Sequence, residues 1–369
     1  MRHWRTSLLV AACLLAALPG RAVEYLVYAG TYTNRGGKGI YLYRFQTATG
    51  KLTPEGPVAE TLNPTFLVLN PSQKVIYAVN ENTDQAAGTI SAFGINPKNG
   101  KLVLLNRASS RGAGPRHMAI DSTGKWLAVA NGAGASIAVL PLQPDGRVGE
   151  AVASEKQPEK SNPAGVAFSP DNHYLLVADQ GLDRILVYRF DAAKGTLTPN
   201  DPPFVEAKPE SGPRRLPFHP GGKALYVVNE KTSSVTAYRW AADTGTLEEF
   251  QNVLTWPMGF TGANAALELA VNRAGTVLYV SNKGLDGFSQ FAIDPEKFAL
   301  TAMDYPPAMG HNPREFALDP SGRFLFAANQ DSGNIAVFRV HPRTGQLQPT
   351  TAVGLHVPSL ACVLFVPER

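Results

Sequence analysis

Cysteine is nearly missing from this chain: Cys13 and Cys362 are the only two among 369 residues. A framework of intramolecular disulfides is therefore excluded, and stability has to come from packing and closure of the fold. Charge is sparse as well, at 17% Asp, Glu, Lys and Arg. No run of Lys or Arg offers a surface for nucleic acid or an anionic membrane. Long apolar runs are absent after the N-terminus, and the one at Leu8 to Leu18 is shorter than the roughly 20 residues a spanning helix needs. No Cys/His cluster has metal-ligand spacing, and no G-x-S-x-G elbow marks a covalent serine hydrolase. Neither a metal nor another cofactor is expected.

What the chain does have begins with a leader. Arg2 and Arg5, the apolar run, and the small residues Gly20 and Ala22 read as a secretory signal over 1–22. A lipobox-like Val10-Ala11-Ala12-Cys13 is the alternative use of the same stretch. Removing 1–22 takes away Arg2, Arg5 and Arg21 and no acidic residue, lowering the formal charge from +4 to +1. The mature protein, 23–369, is expected to be a single domain in the periplasm or outside the cell, and a monomer.

The hydrophobic fraction of 44% supports a sizeable core, and its pattern is a repeat. Tight turns recur at Asn70-Pro71-Ser72-Gln73, Asp121-Ser122-Thr123-Gly124, Ser169-Pro170-Asp171-Asn172, His219-Pro220-Gly221-Gly222, Asn272-Arg273-Ala274-Gly275 and Asp319-Pro320-Ser321-Gly322. A β-rich strand follows each, such as Val75 to Val79 or Ala224 to Val228. A third, alternating strand comes next, then a Gly-centred turn opening a fourth. Strand-opening prolines Pro64, Pro115, Pro163, Pro213, Pro313 and Pro358, with Ala265 filling the gap, recur about every fifty residues, a blade-like period. Tyr25 to Thr31, Ile40 to Phe45 and Lys51 onward lack a first strand, and Pro358 to Phe365 is a first strand with nothing after it. The expectation is an all-β, seven-bladed β-propeller of four-stranded blades, its ring closed by N- and C-terminal strands sharing one blade.

In the segment Gly212 to Glu230, a run from Pro213 to Phe218 turns back into Ala224 to Val228. That hairpin brings Arg214 and Arg215 close to Asn229 and Glu230. Attack of water on a carbonyl needs a donor for the developing oxyanion and a base for the water. Arg214, Arg215 or Lys283 can supply the first, Glu230 or His117 the second. Arg116, Arg215 and Arg314 occupy equivalent or adjacent positions in three repeats and should converge on one opening suited to a carboxylate or phosphate. The bland reading is an Arg214–Glu230 salt bridge that merely positions a loop, with solvated rim arginines around it. The Asn series Asn80, Asn131, Asn229, Asn282 and Asn329 is expected to be structural.

With GPRRLPFHP, VVNE, SNKG and NPREFALDPSGRFLFAANQ in view, the chain resembles the propeller-type 6-phosphogluconolactonase, or lactonase, family, which includes carboxymuconate cyclases. The resemblance covers nearly everything after the leader and implies a seven-bladed propeller that acts on lactones without a metal, at the channel mouth. It places the family's Arg on Arg214 and its glutamates on Glu230 and Glu268. The chain departs from the family pattern at Arg215 and Glu315, which replace histidines, at Lys283, which replaces arginine, and at Pro163-Ala164-Gly165. A matching Pro-Arg-His survives at Pro115-Arg116-His117. The leading expectation is hydrolysis of a sugar-acid lactone, with Arg214 and Lys283 on the carbonyl or carboxylate, Glu230 or His117 as base, and Arg116, Arg215, Glu268 and Arg314 binding substrate. The rival is a non-catalytic exported propeller that binds a protein or an anionic glycan.

Overall fold

The structure, a computed structural model, describes residues 24–84, 87–353 and 356–368; the expected leader at 1–22 lies outside them. Seven sheets of four antiparallel strands form the described fold, accompanied by one turn of 3-10 helix at Thr33–Arg35. Inner strands Pro64–Leu69, Pro115–Ile120, Pro163–Phe168, Pro213–Arg215, Ala265–Val271 and Pro313–Leu318 open blades 1 to 6. The seventh blade pairs Leu360–Pro367 with Glu24–Thr31, followed by Ile40–Gln46 and Lys51–Ala59. The ring therefore closes as its termini suggest.

The second strand of every blade is almost wholly buried, because alternate side chains face the two neighbouring blades. In Trp126–Asn131, Leu127 and Val129 pack toward blade 1, whereas Ala128 and Ala130 pack toward blade 3. Seven apolar clusters result, one between each pair of adjacent blades. A recurrent hydrogen bond links neighbours across these seams. Tyr28, Tyr226 and Tyr279 donate to the carbonyls of Gly100, Phe298 and Gly345, and Trp126 Nε1 donates to that of Ala192, at 2.6–2.8 Å. Several of the asparagines play the structural part expected of them. Asn80, Asn131 and Asn329 donate to Leu62, Ser110 and Ala308 carbonyls, tying each inter-blade loop to its sheet.

Two local expectations fail, both at proline. The run expected to reach Phe218 ends as a strand at Arg215, and Phe218 keeps only an isolated bridge to Leu225; Pro217 has no N–H for the ladder. In blade 2 the turn at Gly146 leads only to a Leu142–Val148 bridge before a short strand, Ala153–Lys156. There the third strand stops at Pro141, and Gly149 donates back to its carbonyl.

Candidate active site

The inner strands share an irregularity that no local sequence signal announces. On Pro115–Ile120, Pro115 pairs with Asn131 and His117 with Ala130, leaving Arg116 as an extra residue. The same register shift occurs after Pro64, Pro163, Pro213 and Pro313, and between Ala266 and Leu269. A β-bulge breaks strict alternation and re-aims side chains. Consecutive residues such as Arg214 and Arg215 thus both reach into the channel, one layer below the other.

The upper layer forms the mouth. Arg214 is buried; its Nε donates to the Leu267 carbonyl at 2.8 Å and its Nη1 to Glu230 Oε2 at 2.7 Å. Gln180 Nε2 donates to the same oxygen at 2.7 Å. Glu230 Oε1 has no partner among the described residues. On the opposite side Glu81 Oε2 accepts from Tyr32 OH at 2.7 Å and Thr65 Oγ1 at 2.8 Å, and Arg314 Nη2 donates to Tyr32 OH at 2.6 Å. Arg116 differs from its two counterparts: Nη1 meets only the neutral oxygens of Asn162, at 3.2 Å, and Gln180, at 3.5 Å. Three guanidinium groups thus face two carboxylates, and Arg116 is the cation without a carboxylate of its own.

The electrostatics follow from that crowding. Burial pushes the Glu230 carboxyl up, but Arg214, Gln180 and Arg116 more than offset it and hold it below the ordinary carboxylate value. Glu81 is held down in the same way by Arg314, Tyr32 and Thr65 against its burial. Burial and then the nearby Arg214 lower the Arg116 value. An anion arriving at the mouth would relieve that repulsion.

The lower layer is a septum across the channel. Arg215 Nε donates to Glu268 Oε2 at 3.0 Å, and its Nη1 to the Ala164 carbonyl. Its guanidinium lies 5.6 Å from the Phe66 ring centroid, and that ring packs 4.3 Å from the His117 ring. Burial first, with Glu268, Arg214 and Arg116 adding opposing effects, brings Arg215 down to about 10, still charged at neutral pH. His117 accepts the Val166 N–H on Nδ1 at 3.1 Å; burial, then Arg215 and Arg214, hold it neutral, well below the usual histidine value. Glu315 accepts the Val363 N–H at 3.0 Å, and burial followed by Glu268 pushes its carboxyl well above the ordinary range.

The residues expected to converge are therefore divided. Arg116, Arg214, Glu230 and Arg314 gather at the mouth, whereas His117, Arg215 and Glu268 sit in the septum beneath. Arg215 pairs with Glu268 of the next blade, not with Glu230 of its own hairpin. Lys283 ends the strand Val277–Lys283 with an exposed side chain and joins neither layer. Tyr32, Thr65, Glu81 and Gln180 also join the mouth. A signal for three of them existed: each follows the last residue of a second strand, the position Glu230 occupies in blade 4.

Comparison with known proteins agrees with this architecture. The family description "Lactonase, 7-bladed beta-propeller" matches residues 26–365. A 6-phosphogluconolactonase of Bacillus subtilis is 30% identical over 355 residues, covering 94% of this chain and 99% of its own. One of Formosa agariphila is 32% identical over 336 residues, covering 87% and 94%. Among solved structures, the periplasmic gluconolactonase PpgL of Pseudomonas aeruginosa superposes with a TM-score of 0.86 at 32% identity, over 94% of this chain and all of that one. With the four-stranded blades, the shared-blade closure and a match spanning nearly every described strand, the chain belongs to the lactonase family of seven-bladed β-propellers.

Proposed function

We propose that the mouth hydrolyses an unphosphorylated sugar-acid lactone of the gluconolactone type, in the periplasm. The observation that carries this reading is Glu230, anchored through Oε2 by Arg214 and Gln180 with Oε1 left open, beside an arginine that lacks a carboxylate. Water held on Glu230 Oε1 gives up a proton as its oxygen bonds to the lactone carbonyl carbon. Arg116, helped by Arg214, stabilises the oxyanion that forms. Collapse breaks the bond to the ring oxygen, which takes the proton back from Glu230 as it leaves. The product acid ionises, and its carboxylate meets the one surplus positive charge of the mouth. A single surplus charge suits a monoanion better than a phosphate dianion. The leader expected at 1–22 and the name of the Pseudomonas relative support export.

The test is proton release by the mature protein with gluconolactone, its 6-phosphate and several uronolactones, corrected for spontaneous opening. Turnover of gluconolactone well above background, lost in Arg214→Ala, supports the reading. Preference for the 6-phosphate would overturn the substrate, and a flat panel would favour the binding propeller.

A further inference from the structure

Below the septum the channel opens again. The inward residues two places beyond the septum positions are small: Ala119 follows His117, Ala167 follows Gly165, and Pro217 follows Arg215. Together with Ile120, Phe168 and Leu269 they line an open-sided cavity of about 490 Å³, within the range of about 300–1,000 Å³ typical of small-molecule sites. Its neighbours at the outer end, Ser122, Ser169 and Pro170, belong to the tight turns of blades 2 and 3, so it faces away from the mouth. Pro217 enlarges it by ending the inner strand of blade 4 early.

The roof of this cavity is polar but carries no net charge. Arg215 is matched by Glu268 at 3.0 Å. His117 has its Nδ1 committed to the Val166 N–H, which places the ring proton on Nε2. That N–H finds no acceptor among the described residues, and the ring lines the cavity. One unpaired donor therefore belongs to the lining of a chamber whose walls are mainly apolar, with the Arg215–Glu268 pair at its inner end and Ser122 and Ser169 at its outer end. A charged ligand would lose its hydration there and find no free counter-ion.

We infer that this lower chamber is a second ligand site, separate from the lactone site, for a small uncharged molecule with an apolar ring or chain and one carbonyl-type acceptor for His117 Nε2–H. Occupant and lactone approach from opposite ends of the channel, with the Phe66, His117, Arg215 and Glu268 layer between them.

The probe is p-fluoroacetophenone, followed by fluorine NMR line broadening with the mature protein. A dissociation constant on the order of 1 mM is expected for a ligand of this size. Ala119→Trp and Ala167→Trp, which fill the chamber, should abolish the broadening while leaving the melting transition cooperative. His117→Phe keeps the ring packed on Phe66 but removes the donor, and should weaken binding about tenfold. Arg116→Ala, at the mouth, should bind the probe as the unaltered protein does. No broadening at the solubility limit would overturn the site. So would binding that survives His117→Phe and both tryptophans, or binding that disappears with Arg116→Ala. Because the readout is not lactone turnover, a failure of the mouth assignment would leave this result interpretable.

Discussion

The two ends of the central channel are made by the same inner strands, a few residues apart, yet they offer opposite chemistry. At the mouth, Arg116, Arg214 and Arg314 surround Glu81 and Glu230, and the layer has more cation than anion. Two or three residues further along, Ala119, Ala167 and Pro217 leave an apolar space whose polar ceiling is neutral. The difference comes from the bulge. Above it the strand ends carry long charged side chains that reach one another; below it regular alternation resumes and small inward residues keep the bore open. An enzyme mouth needs preorganised charge, and the septum stands between that charge and the chamber beneath, although Arg214 still acts on His117 and Arg215 within it.

The largest effect should come from removing the cation that anchors the mouth. Arg214→Ala leaves the Leu267 carbonyl without its donor and Glu230 with Gln180 alone, and breaking such a largely buried pair costs about 3 kcal/mol. Lactone kcat/KM should fall by about a hundredfold or more, while the lower chamber keeps its shape; denaturation and proton-release assays measure the two losses. Glu230→Gln should also lower kcat by about a hundredfold, with far less loss of stability, because Arg214 and Gln180 keep an oxygen to bind. Near-normal turnover in that variant would end the mouth's claim to the chemistry.

The septum separates from the mouth by pH. Glu230 is held below its ordinary value, so its ionised form and the acid limb of kcat/KM should persist below about pH 4.5. Its contribution to stability is present above the unfolded value and fades as pH falls through the folded one. Glu315 runs the other way. Its folded value is raised, so its contribution is full below about pH 4.5 and lost as pH rises toward the folded value. Glu315→Gln should accordingly match the unaltered protein near pH 4 and gain stability relative to it with rising pH, read from melting temperatures across the range. The smallest effect belongs to Lys283→Ala. An exposed lysine outside both layers should change kcat/KM by less than about threefold, and a large loss would put it back at the site.

Much of this fold was legible because most blades repeat one turn, one strand-opening proline and one Gly-centred fourth-strand turn, blade 5 departing from the last two with Ala265 and a turn around Lys297. Closure was legible too, from the strands missing at one end and supplied at the other. The site was legible only in part. Arg214 and Glu230 sit across one hairpin, so local spacing predicts their contact. Arg215 and Glu268 lie on different blades and meet only because bulges on both strands turn them inward, which no spacing rule captures. His117 and Arg116 are adjacent in sequence, and nothing in that adjacency says that they serve different layers. Lys283 matches the family's motif in position, but its side chain lies outside the channel layers.

The shared blade has a consequence for how the molecule comes into being. Phe45 of that blade stacks edge-on against Phe324 and Phe326 of blade 6, and Phe365, near the end of the chain, packs 4.7 Å from Phe326. Glu24–Thr31 cannot acquire its inner partner until Leu360–Pro367 has emerged. While the chain is being made, blades 1 to 6 can assemble in order, each against the one before, but the ring stays open with a sheet edge bare. Completion is thus a single late event joining segments more than three hundred residues apart, the costliest kind of contact in loop entropy. Kinetic control of the fold is thereby placed at one seam, the pairing of the first and last described strands.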